Sequence, residues 1–170
     1  MSSVPPTSED GRWMQRCLEL AAAAAAADEV PVGALVVQDG IVLAEARNQV
    51  EAQRSPLAHA ELLALQQAFA RQGVKRLPGA VLYCTLEPCF LCAGAILHSR
   101  VHTVVFAARD PKFGAVRSLA TLLEDPRLNH RCVVREGEGA AASAALLRTF
   151  FRGKRGGDPA SPLPPGPDRP

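Results

Sequence analysis

At 170 residues, 48% of them hydrophobic, the chain has the length of one compact domain with a sizeable core. A formal net charge of +2 is too small to demand an anionic partner, so any nucleic-acid reading must rest on local clusters of charge. The five cysteines are odd in number, no basic-then-apolar leader precedes them, and the longest bland apolar stretch, Leu20 to Ala27, is far short of a membrane span. These features argue against a disulfide framework and a membrane protein, and the expected setting is a reducing cytoplasm.

Residues 1–7 are Ser/Pro-rich and are expected to be flexible. A first helix is predicted from Ser8, with Glu9 and Asp10 at the positive end of its dipole. Trp13, Cys17 and Leu20 form one apolar stripe at i, i+4 and i+7, and the alanine run Ala21 to Ala27 continues the helix. Pro31 breaks the pattern. Gly33 to Val37 and Ile41 to Ala46 then read as two strands joined by a hairpin turn at Gln38-Asp39-Gly40.

Arg47 to Leu57 is a polar loop containing Asn48, and Ala58 to Gln72 is helical with Gly73 as its C-cap. Val81 to Thr85 is a buried strand, followed by Leu86-Glu87-Pro88, a helix from about Cys89 to Ser99 and a strand over Thr103 to Ala107. A polar loop over Arg109 to Arg117 leads to a short helix at Leu119 to Glu124, an edge strand at Cys132 to Arg135 and a last helix over Ala140 to Arg152. Strands alternating with helices indicate a three-layer α/β/α domain spanning residues 8–155. Residues 156–170 are too rich in Pro and Gly to pack and read as a disordered tail.

The chemistry concentrates in His59, Glu61, Cys89 and Cys92. Cys89 and Cys92 sit at a helix start directly after Pro88, where the free N–H groups and the helix dipole favour thiolate over thiol. One imidazole and two thiolates leave the fourth tetrahedral position of Zn²⁺ for water, the arrangement of a catalytic rather than a structural site. Glu61, two residues past His59, is placed to take a proton from that water. A lone His at a helix start is most often a satisfied surface residue, and a lone Cys-x-x-Cys also fits redox chemistry or half of a closed zinc site. No second Cys-x-x-Cys exists, and Cys17, Cys84 and Cys132 stand isolated in apolar surroundings that suit core positions. The combination of His-Ala-Glu with Pro-Cys-Phe-Leu-Cys, in which Cys89 stands thirty positions after His59, is far more specific than either part.

At these residues the chain resembles the cytidine and nucleobase deaminase superfamily, whose signature is H-x-E followed by P-C-x-x-C. Within it, several stretches are similar to the bacterial tRNA adenosine deaminases: Glu29 to Ala34 (EVPVGA), Ala58 to Glu61, Thr85 to Ala95, His98-Ser99-Arg100, Val105 to Ala115 and Asn129-His130. The likeness runs from about Trp13 to Arg152. Ala107 departs from a frequent glycine, and Arg117 from a usually small residue. Arg117 suits either a phosphate contact or a solvated position.

The resemblance implies a five-stranded mixed sheet, a homodimer and one Zn²⁺ per subunit held by His59, Cys89 and Cys92, with Glu61 shuttling protons. It implies hydrolytic deamination of adenosine to inosine at the wobble position of a tRNA anticodon, a loop whose bases are already unstacked. Asn48 matches a position that contacts the flipped nucleotide, and an Asn stabilising its own turn accounts for it equally well. Val30 and Leu86 suit the apolar walls of a base pocket as well as ordinary core packing. Arg109, Lys112, Phe151 and Arg152 are candidate contacts to the anticodon stem-loop, joined by Arg148, Lys154 and Arg155. A basic helix end also suits the dipole, and one of Phe150 and Phe151 should face the core. The rivals are a deaminase of a free base or nucleoside, of guanine or cytosine type, and a non-catalytic zinc-binding module.

Overall fold

The computed structural model describes residues 7–156. The expected N-terminal segment 1–7 and tail 156–170 fall outside these residues, apart from Thr7 and Gly156. The first helix, α1 (Ser8–Ala26), follows Thr7, whose N–H donates to the Asp10 carboxylate at 2.6 Å. The strands β1 (Gly33–Gln38) and β2 (Ile41–Arg47) pair antiparallel around a turn in which Asp39 and Gly40 both take positive φ, 51° and 72°. This is the turn handedness that suits the twist of a hairpin. Next come α2 (Val50–Gln53) and α3 (Ala60–Gln72), which ends on Gly73 at φ 65°. The chain continues through β3 (Val81–Leu86), α4 (Phe90–Ser99), β4 (Thr103–Ala108), one 3-10 turn (Leu122–Glu124), β5 (Val133–Glu136) and α5 (Ala140–Gly156).

The five strands form one mixed sheet in the order β2-β1-β3-β4-β5. The β1 pairings are antiparallel, whereas β3, β4 and β5 run parallel. Residues alternate between the two faces with the period of a strand. Ala34, Val36, Leu82, Cys84, Val104 and Phe106 face one core, together with Ala64, Leu65 and Ala68 of α3 and Ala93 and Ile96 of α4. Leu35, Val37, Tyr83, Val105 and Ala107 face the other, against Trp13, Met14 and Cys17 of α1. Helices on both faces make the three layers. The approach of α1 to β1 is so close that a Cβ at Gly33 would lie 2.1 Å from the Cys17 carbonyl oxygen, so only glycine fits there.

Two local expectations change. The 47–57 loop contains the short helix α2, because the Glu29 carboxylate reaches across to accept the N–H groups of Glu51 and Ala52 at 3.1 and 2.8 Å. No signal within the loop could reveal a cap supplied from another segment. The helix expected over Leu119 to Glu124 is reduced to a single turn, held where the Leu122 N–H donates to the Ala115 carbonyl. Cys17, Cys84 and Cys132 are all buried, as their apolar surroundings suggest. Among the described residues, no helix is long and apolar enough to cross a membrane.

Candidate active site

The carboxyl end of β3 leads through Glu87 and Pro88 into α4, and the start of α3 comes to meet it. Each helix is preceded by an extended residue, His59 before α3 and Cys89 before α4, and the Cys89 sulfur turns back to cap the first turn of α4. Cys92 lies one turn into α4 and is fully buried, while His59 and Cys89 are half-buried. The His59 Nδ1 lies 3.6 Å from the Cys89 Sγ and 3.4 Å from the Cys92 Sγ. All three donor atoms fall within 4.8 Å of one another, a spacing that could hold a metal ion. One nitrogen and two sulfurs suit zinc, and three protein donors leave a position open.

Charges in the cluster are already polarised. The Cys89 thiol is pulled down to about 4, first by its hydrogen bond with Cys92 and then by His59, against the opposing effect of burial. The Cys92 N–H adds a 3.5 Å contact to the same sulfur, as expected of a thiolate at a helix N-terminus. Cys92 is pushed the other way by the Cys89 hydrogen bond and by burial. The hydrogen bond to Cys89 raises His59 above its ordinary value. Glu61 is only 4% exposed, and burial pushes its carboxyl up to about 7, near neutrality, where a proton shuttle works best.

Asn48 is buried, and its amide donates to the Glu29 carboxylate at 3.4 Å, so its orientation is set by a residue from the turn before β1. Val30 and Leu86 are partly buried and pack against the α3/α4 core. Arg109 reaches its neighbour Glu136 with two hydrogen bonds of 2.8 Å. Lys112 is exposed, and its backbone N–H donates to Asp110. The predicted contacts on α5 stand apart on that helix: Phe151 is exposed and meets Phe150 edge-to-face at 5.4 Å, and Arg152 is exposed. Lys154 pairs with Asp28 at 2.6 Å. Arg117 is neither a free cation nor fully solvated: it pairs with Glu124 and lies 3.6 Å from Glu136. The structure thus brings the His/Cys/Cys cluster together and leaves the basic candidates dispersed around it.

Sequence reasoning assigns no role to Glu29 and Glu87, both 2% exposed. Each sits inside a recognised stretch, EVPVGA and TLEPC, and an acidic residue between apolar neighbours is the signal that could have found them. Burial opposes ionisation of Glu87, but hydrogen bonds from Ser118 and from the N–H groups of Arg117, Ser118 and Asp110 hold its carboxyl below the usual range.

A family model for MafB19-like deaminases matches residues 8–155. The chain is 41% identical over 145 residues to a tRNA-specific adenosine deaminase of Bacillus subtilis, covering 85% of this chain and 90% of that protein. A solved structure from work on A-to-I editing by tRNA:A34 deaminases at the wobble position of transfer RNA superposes with a TM-score of 0.77. That protein is 40% identical, and the match covers 80% of this chain and 99% of it. A guanine deaminase from Nitrosomonas europaea superposes with a TM-score of 0.74 at 29% identity, covering 89% and 87% of the two chains.

Proposed function

We infer that this chain, which belongs to the tRNA-specific adenosine deaminase family, hydrolyses adenosine to inosine at the wobble position of a tRNA anticodon. The observation that carries this reading is the convergence of His59, Cys89 and Cys92 within 4.8 Å in a family whose members act on tRNA adenosine. Residues 8–155 form the deaminase domain, and the cytoplasm is its place of work.

His59, Cys89 and Cys92 would hold one zinc ion per subunit, and zinc bound there would supply the reaction with a water of lowered pKa. Every other part of the chemistry belongs to side chains. Glu61 takes one proton from the attacking water and gives it to the adenine ring nitrogen as the new O–C6 bond forms. It then carries the second proton from that hydroxyl to the amine, which departs as ammonia when the C6–N bond breaks. Its burial serves this task, since desolvation raises the affinity of a carboxylate for the proton it must carry. Asn48, held by Glu29, orients the base by hydrogen bonding. Val30 and Leu86 line the apolar side of the pocket. Arg109, Lys112, Phe151 and Arg152 meet the anticodon stem-loop, the cations at phosphates and the ring by stacking.

The enzyme works as a homodimer, a reading supported by exposed apolar side chains beside the site: Phe90 and Leu91 at the start of α4, and Leu119 in the loop after β4. Isolated apolar side chains are ordinary on a surface, but several around one site mark an interface. The guanine deaminase likeness supports the alternative, a free base as substrate, at lower identity. The deciding experiment incubates the enzyme with total bacterial tRNA, beside free adenosine, guanine and cytosine. Inosine at the wobble position supports the reading, and turnover of guanine alone overturns it.

A further inference from the structure

The turn carrying the metal ligands and the loop after β4 meet around one carboxylate that the reaction itself does not use. Glu87 lies two residues before Cys89 and is almost fully buried. Its Oε1 accepts the N–H groups of Val116, Arg117 and Ser118 at 3.0, 2.6 and 2.8 Å. Its Oε2 accepts the Asp110 N–H at 3.0 Å and the Ser118 hydroxyl. Donors from both ends of the loop therefore converge on a single side chain. Successive N–H groups around an anion make a nest, here filled by the protein's own carboxylate.

The same loop is tied to the ligand turn by backbone contacts. The Ala115 N–H donates to the Pro88 carbonyl at 2.9 Å, and Gly114 forms an antiparallel bridge with Cys89. A Cβ on Gly114 would come within 2.3 Å of the Glu87 carboxylate and 2.6 Å of the Asp110 carbonyl oxygen, so the wrap leaves no room for a side chain. The outer side of the loop carries Lys112 and Phe113, the latter 66% exposed. An aromatic and a cation on an anchored loop offer a stacking face and a phosphate contact to a single-stranded nucleic acid.

We propose that Glu87 is a positioning residue for substrate: by gathering the backbone donors of residues 110–118 it fixes the loop bearing Lys112 and Phe113 beside the Cys89 turn, and so governs how tightly the RNA is held. The proposal rests on the tRNA reading above for its substrate, but its structural half stands apart from it. A glutamine at position 87 would place an NH₂ group among N–H donors, loosening the loop while leaving His59, Cys89 and Cys92 in place.

The test compares wild type, Glu87→Gln and Gly114→Ala, all as the full chain loaded with zinc. For an anticodon stem-loop, KM should rise about tenfold in each variant, the scale of one lost charge-assisted hydrogen bond, with kcat changing much less and zinc content unchanged. Trypsin should cleave after Lys112 faster than in wild type. Because the two substitutions disturb one contact, the double variant should be no worse than the poorer single one. Wild-type KM and wild-type cleavage in both variants would overturn the proposal, as would loss of zinc and kcat at unchanged KM. If Glu87→Gln does not fold, Gly114→Ala and Ser118→Ala decide by the same readouts. If wild type converts no stem-loop, the tRNA reading falls, and the trypsin comparison still decides whether Glu87 holds the loop.

Discussion

The Tyr83 phenol donates a 2.9 Å hydrogen bond to the fully buried carboxylate of Asp10, seventy-three residues away, and so ties α1 to the centre of the sheet. Arg135 of β5 donates to the same oxygen at 2.9 Å, and the Thr7 N–H takes the other. A buried carboxylate with this many donors has its charge satisfied, whereas removal of the charge strands an arginine whose Nε already has no partner.

That arrangement makes stability depend on pH in a definite direction. Burial alone would raise the Asp10 carboxyl, but Thr7, Arg135 and Tyr83 outweigh it and hold it below the usual value. A depressed folded pKa adds stability above the unfolded value of about 3.9 and loses it as pH falls through the folded pKa. Asp10→Asn should therefore lower unfolding free energy by about 2 kcal/mol at neutral pH, the scale of hydrogen bonds to a charged group. The gap to wild type should narrow below about pH 4 as the native carboxyl protonates. Urea titrations of both proteins across this range check it, and a constant gap would show that Asp10 acts through packing alone.

Glu61 offers a sharper separation of metal from chemistry. Glu61→Gln keeps the shape of the side chain and leaves His59, Cys89 and Cys92 themselves unaltered, so about one zinc per chain should remain bound. Loss of the proton shuttle should lower kcat by about 10²- to 10⁴-fold, the usual range for a general acid–base group. Zinc content by atomic absorption, measured beside inosine formation, distinguishes this from a damaged site. Full turnover in the variant would remove Glu61 from the mechanism.

How much of this was legible in the sequence follows from how local each determinant is. The hairpin at Asp39-Gly40 was readable because two adjacent residues decide the turn, and the α3 stop was readable because Gly73 alone supplies the left-handed cap. The donor set His59, Cys89 and Cys92 was readable because each ligand sits at the start of a helix with fixed spacing. The α2 turn was not, since its cap comes from Glu29, and neither was the fate of Arg117. That side chain is committed to Glu124 and Glu136, residues from the 3-10 turn and β5. Long-range partnerships of this kind leave no period or motif in the neighbouring residues.

The same partnerships grade the basic residues proposed to meet RNA. Arg109 is already matched by a two-fold hydrogen bond to Glu136, whereas Lys112 and Arg152 have no ion-pair partner among the described residues. Only a cation whose charge is unmatched displaces counterions fully when it meets a phosphate. Lys112→Ala and Arg152→Ala should each weaken binding of an anticodon stem-loop and reduce the slope of log affinity against log salt by about 1. Arg109→Ala should change the slope less, because the Arg109 charge is already matched by Glu136, which Arg117 at 3.6 Å still balances once Arg109 is gone. Fluorescence-anisotropy titrations over a range of salt concentrations measure each slope directly. Equal slope changes at all three positions would mean that Arg109 leaves Glu136 on binding and serves phosphate as the others do.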